Sequence, residues 1–282
     1  MIKNHFQRTW DFLVHDEAST RPAALIRMGL VVLIWTRYAS DFLLYQNLEP
    51  YYLFHGVSLF VATTLLFFGA FTRFAALWTA ATMVSFYYYL GFEKGIEPYT
   101  HHHTYVLAIT AVLLALSPCG KSYSWDRWQS LKKAELAGEA APLERGPQWA
   151  LRLMALQVSL IYFWSAYDKC NPAFLSGERM EHYAMYLYLG SDYPKSALFH
   201  PAMVMLAWTT IALEFSLTFG LWWRRIQKWL IPLGMIFHGL LYVLLPVGTY
   251  SLNMWLLYLA FLDPDAVHRF LDRLSGLREP LA

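Results

Sequence analysis

Charge is scarce in this chain. Asp, Glu, Lys and Arg make up 15% of its 282 residues, while 57% are hydrophobic and 18% aromatic; an ordinary soluble domain carries about 25% charged residues. So few charges cannot coat a water-facing surface, and the composition indicates an integral membrane protein. The net charge is only +2, basic stripes are missing and the aromatic residues lie inside apolar runs, which excludes nucleic-acid recognition. Cysteine is nearly absent as well. Cys119 and Cys170 fall at opposite ends of predicted spans, so a disulfide between them would have to cross the bilayer. There is no Gly-rich phosphate loop, CxxC, HExxH or GxSxG, which removes the common nucleotide-binding, zinc-protease and serine-hydrolase readings. Met1 to Arg21 has no cleavage-like site after an apolar core, so no signal peptide is expected.

What the chain does have is apolar sequence, recurring from Ala23 to Leu262 without a polar block large enough for a second folded unit. This predicts an all-α fold, a polytopic helical bundle of about eight transmembrane helices: Ala23–Leu44, Leu53–Thr72, Phe74–Phe92, Thr104–Pro118, Gln148–Tyr167, Ala202–Trp223, Trp229–Pro246 and Thr249–Leu262. A cytoplasmic segment, 1–22, precedes the membrane domain, 23–262, and a cytoplasmic tail, 263–282, follows it. The fourth and eighth spans are short for a hydrocarbon slab of roughly 30 Å. Trp and Tyr crowd the span ends, as interfacial anchors do. With alternating sides, fifteen Lys and Arg fall in cytoplasmic segments, against Lys94, Lys169, Arg179 and Lys195 outside. That asymmetry predicts both termini in the cytoplasm of a cell's inner (plasma) membrane. The inner connection 119–147 reads as a short charged helix and linker, and the outer connection 168–201 holds the candidate chemistry.

Ionisable groups inside or at the rim of spans are costly and therefore informative. Leu153 to Tyr167 is uncharged and runs straight into Asp168-Lys169, before Asn171-Pro172 stops the helix. An amine at that rim is partly desolvated, which favours the uncharged form that a base requires. Arg37 and Asp41 are four apart and can pair on one face. Glu214 and His238 sit mid-span with no partner on their own helices, so each must find one across the bundle. His101, His102 and His103 point about 100° apart on a helix and cannot share a metal, so no metal site is expected. His103 is the best placed to face the bundle. At the outer ends, His102 and His103, Lys169, Tyr250 and Asn253 belong to one leaflet, with aromatic walls from Trp164, Tyr162 and Tyr250. Such a lipid-facing site suits a hydrophobic aromatic ligand such as a quinol.

The runs HHHTYVLAITAVLLALSPCGKSYSWD (101–126), IYFWSAYDKCNPAFLSG (161–177) and FHGLLYVLLPVGTYSLNMW (237–255) resemble the vitamin K-dependent γ-glutamyl carboxylase and its bacterial relatives, the HTTM (horizontally transferred transmembrane) domain family. Arg27-Met28-Gly29 and the run Gly69 to Arg73 fit the same pattern. The resemblance implies that Lys169 is the base that deprotonates a hydroquinone and that His103 assists it. It also implies that His238 and Tyr250 lie beside the quinone; His102 falls where the animal enzyme has asparagine. The implied cofactor is vitamin K hydroquinone or menaquinol, with O2 and CO2 as co-substrates, and the implied reaction is quinol epoxidation coupled to carboxylation of glutamate. The substrate would be a peptide or protein, delivered by a partner, at a site facing the periplasm or cell exterior. Two departures stand out. No lumenal-type substrate domain follows Leu262, and Asp168 beside the lysine favours the charged amine. Two other readings use the same residues: a quinone-binding oxidoreductase that does not carboxylate, and a non-catalytic membrane factor for export or maturation of a peptide.

Overall fold

The computed structural model describes residues 16–43, 49–245 and 247–276. Lys3, Arg8 and Arg278 of the charge count, most of the N-terminal segment, and the span ends predicted at Leu44 and Pro246 lie outside them. A short strand β1 (Glu17–Ser19) leads into helices α1 (Arg21–Leu43), α2 (Pro50–Phe68) and α3 (Thr72–Ser85), the last running on as a π-helix over Phe86–Glu93. Then come α4 (His102–Ala115), α5 (Trp125–Ala137), strand β2 (Arg145–Pro147) and α6 (Trp149–Lys169). The short α7 (Pro172–Leu175) and α8 (Glu178–Ala184) precede α9 (Phe199–Gly220), α10 (Arg224–Leu244), α11 (Gly248–Leu257) and α12 (Pro264–Ser275).

A helix stands at each of the eight predicted spans, and among the described residues the fold is all-α apart from one two-stranded ladder. Four of these helices, α1, α2, α9 and α10, are long and apolar enough to cross a membrane. The fourth and eighth spans are short, as expected: α4 has 14 residues and α11 has 10. At 1.5 Å per residue, α4 covers only about 21 Å. The chain divides into two compact units, Leu156–Ile236 and the remainder, with the divisions falling inside α6 and α10.

In the larger unit α3 packs against α2 and α4, while α11 lies on α1 and α4. The buried positions of α1, among them Ala23, Arg27, Leu30, Ile34 and Tyr38, recur every three or four residues and form one helix face. Arg27 belongs to that face although it is charged. Its guanidinium, fully buried, donates to the carbonyls of Cys119 (2.6 Å), Ser122 (3.4 Å) and Tyr123, so the turn after α4 is tied to α1. The same turn explains Gly69. At φ +64°, a Cβ on this residue would stand 2.3 Å from the Ser124 side chain and 2.9 Å from the Arg27 guanidinium, a place that only glycine fills. Asp126 then closes the junction, accepting from the backbone N–H groups of Phe71 (2.9 Å) and Thr72 (2.7 Å) at the start of α3.

Three segments that the charge pattern assigns to one side meet in this unit. β1 pairs antiparallel with β2, Ala18 opposite Gly146, and α12 packs on both β1 and α1. Arg21 joins Glu144 (2.6 Å) and Asp272, Arg145 lies 3.4 Å from Asp265, and His268 shares a 2.9 Å hydrogen bond with Ser19. The inner connection thus contains the predicted helix, α5, and a strand that the charged sequence did not announce.

Burial, with Arg21 nearby, holds the His268 imidazole below its ordinary range and outweighs the pull of Asp272, Glu144 and Asp265. An unfolded histidine therefore binds a proton, near its ordinary value of about 6.5, that the folded one refuses. The resulting stability is present above that value and is lost as pH falls toward the folded value. Between about pH 7.5 and about pH 5, His268→Gln should lose less thermal stability than the wild type. Unfolding midpoints of both proteins in one detergent check this; equal losses would assign the acid sensitivity to other groups.

Candidate functional site

The smaller unit holds Lys169 on the last turn of α6. The helix ends there because Asn171 accepts from the Phe174 N–H (3.1 Å) to begin α7, with Pro172 at its first position. Ser165 is one turn back on the same face. The Lys169 ammonium donates to the Ser165 hydroxyl (2.5 Å) and carbonyl (3.1 Å), and to both oxygens of Glu214 (3.0 and 2.9 Å). Ser165 in turn donates to Glu214 at 2.9 Å, closing a triangle of amine, hydroxyl and carboxylate.

Glu214 is buried because it lies on the packed face of α9, in line with Ala207, Ile211 and Leu217. Phe174, Ala207 and Ile211 form the local core, with Leu175, Met180 and Phe215 around it, and the Phe174 ring lies 5.9 Å from the amine. Gly177 lets the following turn approach α9: at φ +83°, a Cβ there would come within 2.8 Å of the Val204 amide nitrogen. The lysine side chain is 23% exposed and that of Glu214 5%, so the pair opens on its lysine side only.

The carboxylate facing Lys169 is therefore Glu214, whereas sequence neighbourhood pointed to Asp168. Asp168 is exposed one position away, where a helix turns the side chain by about 100°. Trp164 is also exposed; its ring lies against Phe163 (5.5 Å) and Tyr167 (5.6 Å), off the Ser165–Lys169 face. Glu214 and Ser165 were absent from the expected site. The usable signals were a single acid in the middle of an apolar span and a hydroxyl four residues before the lysine.

The other expected residues, His102, His103, His238, Tyr250 and Asn253, belong to the larger unit. His103 is half-buried at the start of α4, where Arg37 donates from Nε to its Nε2 at 3.0 Å. That bond makes Nε2 an acceptor and assigns the proton to Nδ1 in the neutral ring. Arg37 also lies 3.8 Å from Asp41, the pair expected on α1. His102 is exposed, and the His101 and His103 rings stand 5.3 Å apart.

His238, Tyr250 and Asn253 form a second group in the larger unit. The buried His238 ring lies 5.9 Å from Tyr250 and 6.4 Å from Tyr258. Tyr250 and Asn253 are three apart on α11 and so share a side of that helix. Asn253 is fully buried, and neither its amide nitrogen nor its amide oxygen has a hydrogen-bond partner among the described residues. Each unmet buried group costs on the order of 1–3 kcal/mol. An aromatic ligand bearing a hydroxyl would accept from the amide nitrogen, donate to the amide oxygen and lie against the neighbouring rings, so these residues fit a quinol.

The HTTM domain family matches residues 36–265, a range that includes every residue of both groups. No curated protein and no solved structure matches the chain.

Removing one member of a buried ion pair leaves the other charge uncompensated, whereas replacing both with apolar groups is often neutral. Glu214→Leu should therefore destabilise the protein by roughly 2–4 kcal/mol, less than a fully buried pair would because Lys169 reaches solvent. Adding Lys169→Met should recover most of that loss. Unfolding midpoints of the two single variants and the double variant check it; strictly additive losses would show that the groups are uncoupled.

Proposed function

Because the chain belongs to the HTTM domain family, we propose that it is an integral membrane enzyme of the vitamin K-dependent carboxylase type. That family includes carboxylase-like proteins. In this reading eight helices cross a bacterial inner membrane with both ends of the chain in the cytoplasm, and the chemistry faces the periplasm. The cofactor is vitamin K hydroquinone or menaquinol. The observation that carries the reading is the Lys169–Ser165–Glu214 triangle, a proton-handling group set into an apolar helix pair.

A base must offer an unprotonated lone pair, and Lys169 has a neighbour able to take its proton. The ammonium–carboxylate pair and the amine–carboxylic acid pair have the same net charge, so a proton moves from Nζ to Glu214 without any charge leaving the site. Ser165, bonded to both, provides a second route through its hydroxyl. Lys169 then accepts a proton from a ring hydroxyl, and Glu214 keeps the one displaced. His103, neutral and oriented by Arg37, offers its Nδ1–H as a hydrogen-bond donor that assists. Within the larger unit, Asn253, His238 and Tyr250 are the residues that fit such a ring. A bound hydroquinone supplies the oxidisable ring whose reaction with O2 makes carboxylation of a glutamate by CO2 possible. The glutamate belongs to a peptide or protein brought by a partner.

The test is mass spectrometry for quinone epoxide formed by the purified protein from a reduced naphthoquinone in the presence of O2. Lys169→Ala should lower turnover by about 10²-fold or more, with the protein still folded, and His103→Ala should lower it less. The reverse ranking would move the base to His103. Glu214→Gln keeps the shape of the site but cannot take the proton, so its rate should rise with pH across a range where the wild type is flat. Epoxide without labelled CO2 entering a glutamate peptide would favour the oxidoreductase reading.

A further inference from the structure

The larger unit has an open hollow of about 650 Å³ at the start of α3, the end of α4 and the first turns of α5. It lies at the opposite end of α4 from His102 and His103. Four cations line it, Arg73, Lys121, Arg127 and Arg145, against two carboxylates, Glu17 and Asp126. Asp126 is already engaged: one oxygen accepts from the Phe71 N–H, the other from the N–H and the hydroxyl of Thr72, each at 2.7 Å. Arg127 donates to the Pro142 carbonyl, and Arg145 to the Glu17 carbonyl at 2.8 Å. The remaining two cations have capacity to spare. Lys121 gives one N–H to the Arg145 carbonyl (2.8 Å), leaving two. Arg73 is exposed and makes no hydrogen bond or ion pair among the described residues.

Beside the hollow, the other faces of α3 and α5 carry exposed rings. Phe71 is 75% exposed and Phe74 61%, and Trp125 and Trp128 are each 50% exposed with ring centroids 4.6 Å apart. Trp125, Trp128 and Lys132 recur at helical spacing along one face of α5, with the Lys132 amine 5.4 Å from the Trp128 ring. The Asp126 N–H donates to the Gly69 carbonyl at 3.1 Å, which fixes this face beside the turn between α2 and α3. Exposed rings and long cationic side chains at the ends of apolar helices are the composition that seats at a bilayer interface.

We infer that this hollow binds the phosphate-bearing headgroup of an anionic phospholipid, with Arg73 and Lys121 as its cationic contacts, while the exposed Phe71, Phe74, Trp125 and Trp128 rings on the neighbouring helix faces hold this end of the helices at the bilayer interface. A hollow of this size is in the range of small-molecule sites, roughly 300–1,000 Å³. The exposed rings beside it put the hollow at the depth of lipid headgroups, which makes the ligand a lipid. Nothing in this inference depends on the role of Lys169.

The test uses native mass spectrometry of the full chain in detergent, incubated with phosphatidylglycerol or phosphatidylcholine. Phosphatidylglycerol should be retained over phosphatidylcholine, and Arg73→Gln with Lys121→Gln should reduce its retention by roughly tenfold or more. Arg73→Lys with Lys121→Arg should keep it, and an unchanged unfolding midpoint confirms that the neutral variant is folded. Equal retention of the two lipids, or full retention by the folded neutral variant, would overturn the assignment. Displacement of the lipid by an equal concentration of glycerol 3-phosphate would also overturn it, making the site one for soluble anions.

Discussion

A cation inside an apolar helix bundle must be met by oxygen, and much of this structure is the consequence. Arg27, fully buried in α1, takes backbone carbonyls from the turn after α4. The turn is thereby held against α1, Gly69 is pressed between Ser124 and the guanidinium, and Asp126 is brought to the start of α3. One charge thus organises a helix, two connections and the next helix start. An apolar residue at the same place would fill the volume but leave three carbonyls without a donor, which costs more than the packing returns.

Lys169 meets the same requirement with a carboxylate instead of carbonyls, and the difference matters chemically. Carbonyls accept hydrogen bonds but cannot take a proton, so Arg27 is permanently charged and structural. Glu214 can take one, and Ser165 stands bonded to both groups. The lysine is also the more exposed partner, so the side of the pair that a substrate would reach is the amine. Burial of the acid behind the base is the order that proton abstraction needs.

Helix positions were legible in the sequence because an apolar run of membrane length has few alternatives to a helix, and Asn171-Pro172 marked the end of α6 by ordinary capping chemistry. Within helices the irregularities were not legible: the π-helical stretch Phe86–Glu93 depends on packing around Tyr38 and Tyr99, which no local pattern encodes. The β1–β2 ladder escaped for a similar reason, since its strands are three residues each and its paired residues are 126 to 130 positions apart. For the site, the lysine was legible as a charge at the rim of an apolar helix. Its partner was not, because sequence adjacency favoured Asp168, while a helix separates neighbours in space and brings together residues from distant segments.

Glu214 and Asn253 were both conspicuous as polar residues within apolar stretches, yet their fates differ. Glu214 is fully engaged by an amine and a hydroxyl, so its free energy is settled inside the protein. Asn253 is equally buried but has neither its donor nor its acceptor matched among the described residues. A packed bundle would gain by replacing such an amide with leucine unless something else completes its hydrogen bonds. The contrast separates a polar group whose hydrogen bonds are completed inside the protein from one that nothing among the described residues completes.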